Sequence, residues 1–296
     1  MKKMNLRTLS SIGWLIVAAM VISLSGCAAK KAAWGSMKKG MIMKYQLHPE
    51  KSLKYQSTQN FEQVMEVMGQ EFTITGEGDQ LLEMMPLVDK NDDLEFLVSI
   101  NAMYSKLSTP RGEMTAVLDD VIGKSFNLTI SPWGNELEYS GAEAIIYDYG
   151  MGDTKNLSSD VQAFFPNLPD HPIMIGDSWE TTDMITENSS SGVLVMQYTN
   201  INTFEKIETL NDYECMKINV VFKGTLEGEG EQDGMELITT GDIEGTATWY
   251  FAYKEGIFVS QLTEGTGKSI TEIKGPQEMT LPATRLYTLK TELVDM

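Results

Sequence analysis

LEFLVSINAMY, residues 94–104, decides the fold class of this chain. Its even-numbered side chains are all apolar, whereas the odd positions include Glu95, Ser99 and Asn101. An alternation with a period of two residues predicts a β-strand with one buried and one solvated face, which is typical of antiparallel sheets.

The same alternation recurs along the chain, and several of the stretches that carry it are long. Residues 94–106, 213–227 and 280–292 each exceed the usual strand of about 5–6 residues. Long strands with one dry face predict a mainly β fold, with one large curved antiparallel sheet that forms an open or half barrel. Residues 125–141 and 246–265 share a strand-turn-strand plan, which indicates a possible duplicated meander.

Turn signals separate the strands, since glycine and asparagine adopt positive φ at little cost. They lie at residues 68–70, 131–135 and 253–256. The acidic, glycine-rich stretch 226–234 is interpreted as a loop, either a solvated hairpin tip or a weak cation site.

Residues 142–177 differ from the rest and predict a connector with a short central helical insert. Helices are expected over 142–147 and 157–165, the second capped by Ser158 or Ser159. Prolines then recur at every third position from 166 to 172, which favours an extended path strapped over the sheet. The alternative interpretation is a proline-rich ligand for a partner domain.

The N-terminus has the layout of a secretory signal, with an early positive charge and then an apolar run over residues 12–24. Leu24-Ser25-Gly26-Cys27 follows and resembles the lipobox of bacterial lipoproteins. The resemblance implies cleavage before Cys27 and a diacylglycerol on its sulfur. Ala28 in place of Asp implies the outer membrane, where the envelope has two membranes. An uncleaved signal anchor is the alternative.

These features divide the chain into a signal, a lipidated segment and a body. The predicted bounds are 1–26 for the signal, 27–40 for Cys27 with a flexible basic tether, and 41–296 for a single β-rich domain with halves 41–141 and 178–296 around the connector. The tether is either a solvated spacer or a segment attracted to anionic lipid. We expect a protein of the cell envelope, anchored to the membrane through the covalent lipid.

The charge of the chain excludes one class of partner. The net charge is −19, and removal of the three cations of the signal leaves −22. Nucleic-acid binding needs a basic face, so it is not expected. With Cys27 lipidated, Cys215 has no partner for a disulfide.

The sequence contains no recognisable catalytic motif. The two histidines, His48 and His171, each adjoin a proline, and no serine lies in a G-x-S-x-G turn. Phosphate-binding glycine loops and clustered zinc ligands are also absent from the sequence. Neighbouring acids such as Asp119 and Asp120 are interpreted as solvated loops. We therefore predict no catalytic residue, no metal and no cofactor.

The predicted body is similar to the Lol-type carriers and half-barrel lipoproteins of bacterial envelopes. That resemblance implies a non-catalytic protein whose curved sheet binds a hydrophobic ligand, either a lipid or a lipidated peptide. The candidate ligand-binding residues are Phe164, Phe165, Trp179, Met216 and Trp249. A structural or assembly role is an equal possibility, and a cell-surface hydrolase or carbohydrate-active enzyme on a β scaffold is the alternative.

Overall fold

A computed structural model of the chain describes residues 34–87, 93–148, 153–232, 234–275 and 278–295. Almost all of its regular structure is β-strand. The strands, in chain order, are β1 Gly35–Ser36, β2 Gly40–Met41, β3 Leu53–Val67, β4 Gln70–Pro86, β5 Leu94–Thr109, β6 Gly112–Val117, β7 Ser125–Ile130, β8 Glu136–Glu138, β9 Ile146–Asp148, β10 Thr154–Asn156, β11 Ser178–Ser189, β12 Gly192–Leu210, β13 Tyr213–Gln232, β14 Met235–Ala252, β15 Ile257–Lys274 and β16 Met279–Asp295.

All but the two short N-terminal strands join one 14-stranded sheet. Every pairing in it is antiparallel, and the spatial order is β8-β7-β5-β4-β3-β16-β15-β14-β13-β12-β11-β10-β9, with β6 on β5. The C-terminal strand β16 returns beside β3, so both halves of the chain build the same sheet. Only residues 139–145 join the edge strands β8 and β9. The sheet therefore curls into a half-barrel, which confirms the predicted fold class.

The prediction of a loop over residues 226–234 is wrong for residues 226–232. Strand β13 continues to Gln232 and stays in register with β14 up to the pair Gln232–Met235. In this stretch Leu226 and two glycines face one side, while three glutamates face the other. The period of two is present, but glycine carries no hydrophobic signal that would reveal it.

The helical insert is reduced to two 3₁₀ turns, Ala142–Ala144 and Leu157–Asp160. Residues 146–148 pair with β10 as a strand instead of extending a helix. The cap of the second turn is Asn156, whose side chain accepts from the Ser158 N–H, so neither predicted serine has that role. The turn does not continue to residue 165, because Ala163 adopts a left-handed conformation with φ 55°.

One end of the half-barrel, which we call the base, is filled. The connector after β10 and residues 41–47 pack there against the sheet, and Ile173 pairs with Met41. The largest buried side chains of the base include Tyr55, Phe204 and Phe258. The sheet's two ends therefore differ: the strands are packed at the base, and beyond it none of the described segments covers them.

Part of the predicted tether is folded. Trp34 is half-buried with its ring 6.2 Å from that of Tyr253, and β1 and β2 form a small hairpin behind it. Gly40 lies against Pro172 of the connector. Cys27 and the predicted signal lie outside the described residues. Within the described residues, no helix has the length and apolar character needed to cross a membrane.

Candidate functional site

Beyond the base, three rows of side chains cross the inner face of six long strands. We call these eighteen residues the cradle. In strand order β4-β3-β16-β15-β14-β13, the rows are Gly76-Phe61-Tyr287-Gly265-Gly245-Phe222, then Ile74-Gln63-Arg285-Gly267-Ile243-Gly224, then Phe72-Met65-Ala283-Ser269-Gly241-Leu226. An open groove of about 880 Å³ follows the first row across all six strands.

The two faces of these strands differ sharply in charge. Arg285 is the only charged side chain of the cradle, whereas acidic residues recur on the opposite face. Glu62, Glu244 and Glu264, for example, each flank the first row and are exposed. Strand alternation thus places the acids on the outer surface and leaves an apolar and weakly polar inner wall.

Glycines and aromatic rings share the cradle. The Phe61 ring lies where a Cβ on Gly76 would stand, and the Tyr287 ring does the same over Gly265. At Gly245, a Cβ would instead strike the carbonyl oxygen of Glu264 on the next strand. The missing Cβ atoms let rings lie flat on the backbone and let neighbouring strands approach closely on the concave side.

The guanidinium of Arg285 lies over the ring of Phe61, with Cζ 3.8 Å from the ring centroid. Its side chain is exposed to solvent, although the neighbouring wall of the cradle reduces its hydration. This partial desolvation lowers the pKa of Arg285, and the charge of Glu187 opposes the shift. An arginine remains charged under such conditions.

A polar cluster separates the cradle from the base. Asp183 accepts hydrogen bonds from Asn200 and from Asn167 of the connector, both at 2.6 Å. On the other edge of the sheet, Glu136 accepts from the Phe165 N–H at 3.1 Å. Burial raises the pKa of Glu136 to about 7, against the lowering effect of the Phe165 hydrogen bond. The pKa of Asp183 is also raised by burial, while both asparagines lower it.

The arrangement of this cluster serves to hold the connector. Two carboxylates, Glu136 on the edge strand β8 and Asp183 on β11 near the other edge, bind the same short segment, residues 165–167. The oxygens of Asp183 are both occupied by amide donors. The cluster thus fastens the connector across the half-barrel, where the base ends and the cradle begins.

The candidate ligand-binding residues from the sequence lie mainly in the core of the base. Phe165, Trp179, Met216 and Trp249 are all buried, with exposures of 2%, 8%, 0% and 2%. Phe164 is half-buried, and its ring lies 5.5 Å from that of Tyr55. These side chains pack against the connector and the sheet, while other residues form the cradle. Their ligand-binding role stays a prediction.

The histidines do not assemble a catalytic triad. His171 pairs with Asp170 at 3.0 Å on the surface, and Ser178 bonds Thr203. His48 contacts the carbonyl of Glu255 at 2.7 Å. Cys215 is buried, and burial raises the pKa of its thiol to about 12. Across the described ranges, no three His, Cys, Asp or Glu side chains are grouped to hold a metal ion.

Sequence reasoning missed Phe61, Tyr287, Arg285 and the cradle glycines. A signal was available, because each of these residues occupies the inward position of an alternating strand. Counting glycine as an inward residue would have placed them on one face. Their alignment into rows, however, depends on the register between β3 and β16, which are separated by most of the chain.

No protein-family model and no curated protein sequence matches the chain. Among solved structures, Pseudomonas aeruginosa OccK2 (OpdF) in complex with glucuronate is similar at 8% identity, covering 84% of this chain and 100% of that one with a TM-score of 0.25. Pseudomonas aeruginosa OpdQ has 5% identity, coverages of 83% and 99%, and a TM-score of 0.24. Acinetobacter baumannii OccAB4 has 8% identity, coverages of 82% and 98%, and a TM-score of 0.20. Similarities of this size assign no function.

Proposed function

We propose that the protein is a lipid-anchored, non-catalytic lipoprotein of the cell envelope that binds a hydrophobic ligand in its cradle. The observation that carries the proposal is the separation of charge between the two faces of the long strands. A cradle wall with one charged residue in eighteen is paired with an acidic outer face. A sheet whose two faces were both simply solvated would be expected to carry charged side chains on both of them.

The dimensions of the cradle suit an extended apolar chain. Six strands about 4.8 Å apart make each row about 24 Å wide. An acyl chain laid along a row would contact Phe61, Tyr287 and Phe222 in turn, with glycines between them. Burial contributes about 0.8 kcal/mol for each CH₂ removed from water, so even partial coverage of a long chain gives useful affinity.

Trp34, the described residue nearest in sequence to the proposed anchor, lies at the opposite end from the cradle. Trp34 packs on Tyr253, which belongs to the β14–β15 turn of the base. Six residues lie between Cys27 and Trp34, and the seven steps from one Cα to the other span at most about 25 Å when extended. A lipid on Cys27 would therefore hold the base near the membrane and leave the cradle on the distal side.

The polar cluster supports a binding protein more than a hydrolase. A paired-acid mechanism needs one carboxylate free to accept a proton and another free to donate one. Asp183 is occupied by two asparagines, and Glu136 binds the connector backbone. Both acids thus have a structural task that explains their burial.

The binding proposal is tested by photo-crosslinking on the full chain in lipid nanodiscs. The probe is a C16 alcohol that carries a diazirine on its chain, and labelled peptides are mapped by mass spectrometry. Gly267→Trp fills the cradle, because a Cβ there makes only ordinary contacts, with Ile243 at 3.6 Å and with the carbonyl oxygen of Asp242 at 4.0 Å. Thr246→Trp adds the same ring on the exposed outer face as a control.

We expect the probe to label the cradle strands of the native chain and of Thr246→Trp. In Gly267→Trp, labelling of the cradle strands should fall at least fivefold. Equal labelling of both variants would contradict the proposal, as would labels spread evenly over the two faces. Absence of cradle labels in the native chain would favour the purely structural role.

The anchor is tested separately. Cells given radiolabelled palmitate should label the native chain and not Cys27→Ala, whose precursor should keep its signal. Normal processing of the variant would remove the lipoprotein assignment and leave the binding proposal intact.

A further inference from the structure

We infer that the ligand of the cradle is a single-chain amphiphile with an anionic oxygen head group, and that Arg285 binds this head group. The inference rests on the proposed function and specifies its ligand class. It follows from the position of one cation on a wall that is otherwise uncharged.

The first observation is that Arg285 has no acidic partner at contact distance. None of the ion pairs formed by the described residues includes Arg285. The acid whose charge acts on it is Glu187 of β11, which is already paired with Lys155 at 3.4 Å. Arg285 is only partly desolvated, and without a carboxylate partner its charge is available to bind an anionic group.

The second observation is how the side chain is held. The guanidinium lies over the Phe61 ring, a contact that uses its positive charge and none of its N–H donors. These donors are not used in any hydrogen bond that the structure shows among the described residues. A guanidinium edge binds carboxylate or phosphate oxygens through two parallel hydrogen bonds.

The third observation concerns charge complementarity. The chain carries a net charge of −19, and the outer face next to the cradle presents Glu62, Glu244 and Glu264. An anionic head group is repelled by that surface and attracted to the cation inside the cradle. A cationic amphiphile would instead be attracted to the acidic outer face and repelled by Arg285, so the arrangement favours an anion in the cradle.

The position of Arg285 also leaves room for the tail. Arg285 lies in the middle row, beside Gly267 and Gly265 of the neighbouring strand. From there, an apolar chain can pass over the glycines of β15 and β14 towards Phe222. The head group and the tail thus contact different parts of the same wall.

The test uses the full chain in nanodiscs with three diazirine probes that share one C16 chain. Their head groups are a carboxylate, a phosphate monoester and an uncharged alcohol. The variants are Arg285→Gln, Arg285→Lys and, as the matched control, Lys268→Gln, which removes an exposed cation from the outer face of β15. Urea midpoints confirm that each variant is folded.

We expect the native chain to prefer an anionic probe over the alcohol by about tenfold, the effect of roughly one charged hydrogen bond. Arg285→Gln should lose this preference, so that the alcohol and the anionic probes label it to the same extent. Arg285→Lys should retain part of it, and Lys268→Gln should retain all of it. The ratio of cradle labelling by the carboxylate probe to that by the phosphate probe then distinguishes a fatty acid from a phosphorylated lipid.

Two results would overturn the inference alone: equal labelling of the cradle by the alcohol and both anions, or a preference that survives in Arg285→Gln. In either case the cradle still binds an apolar chain and the proposed function stands. If no probe labels the cradle, the proposed function fails together with the inference.

Discussion

The base and the cradle are built from the same strands, yet they differ in what faces inward. Towards the base, β14 presents Trp249 to Trp179 of β11 and Phe251 to Tyr45, and both are buried. Towards its other end, the same strand presents Gly245 and Gly241. One end of the sheet therefore buries large side chains beneath a covering segment, while the other exposes backbone and a few rings.

This difference shows how one sheet can be stable and still keep a surface open. Hydrophobic burial at the base supplies the folding free energy. The antiparallel hydrogen bonds continue along the same strands and keep them ordered beyond the base. The cradle can then dispense with inward side chains at several positions. The following substitutions test this division, from the largest expected effect to the smallest.

Loss of a ring should cost much more at the base than in the cradle. Phe258 is 0% exposed and stacks on Tyr55, so Phe258→Ala should lower the free energy of unfolding by about 3–5 kcal/mol. Phe61 is half-buried, and Phe61→Ala should cost no more than about 2 kcal/mol. Urea unfolding measures both, and similar losses would show that the cradle is as much a core as the base.

Glycines within the cradle should differ from one another. Gly245→Ala drives a Cβ into a backbone carbonyl and should cost about 1–3 kcal/mol. Gly267→Ala meets Ile243 at an ordinary 3.6 Å and should be neutral or stabilising by about 0.5 kcal/mol. Thermal unfolding of the two variants provides the comparison. A cost of the same size at Gly267 would mean that the space above it is already filled.

The sequence predicts the base and the sheet much better than it predicts the cradle. Alternation in residues 94–106 reveals the strand because Phe96, Val98 and Ile100 are large, apolar and buried. In residues 226–232 the inward positions are mainly glycine, so the same period was read as a loop. The anchoring role of Glu136 depends on a curl that brings β8 and the connector together, and no local pattern encodes it.

The boundary between the two regions should respond to pH through Glu136. Its pKa is raised from 4.5 to about 7 in the folded protein, mainly by burial, so the native state binds the proton more tightly than the unfolded state. Stability should therefore fall as the pH rises from about 4.5 to 7, and the deficit should persist above pH 7.

Glu136→Gln keeps an oxygen for the Phe165 N–H and removes the buried charge. We expect the variant to gain about 1–2 kcal/mol over the native protein at pH 8 and to equal it near pH 4.5. Urea midpoints across this range measure the difference. Glu138→Gln, at an exposed position of the same strand, is the control. A gain that does not vary with pH would exclude titration of Glu136 as its cause.

The smallest effects should come from the turns at the two ends of the sheet. At the cradle end, Met68 and Gly69 both have positive φ, and Met68 is 84% exposed. At the base end, Asn211 and Asp212 occupy the same left-handed pair of positions. Asparagine tolerates this conformation better than methionine does.

We therefore expect Met68→Asn to stabilise the protein and Asn211→Met to destabilise it, each by about 0.5 kcal/mol, a fraction of the full left-handed cost. Thermal unfolding of the single variants and of the double variant tests both signs, and because the turns lie at opposite ends of the sheet, the double variant should match the native protein. A stabilising effect of Asn211→Met would show that contacts of the methionine with the base outweigh the backbone preference.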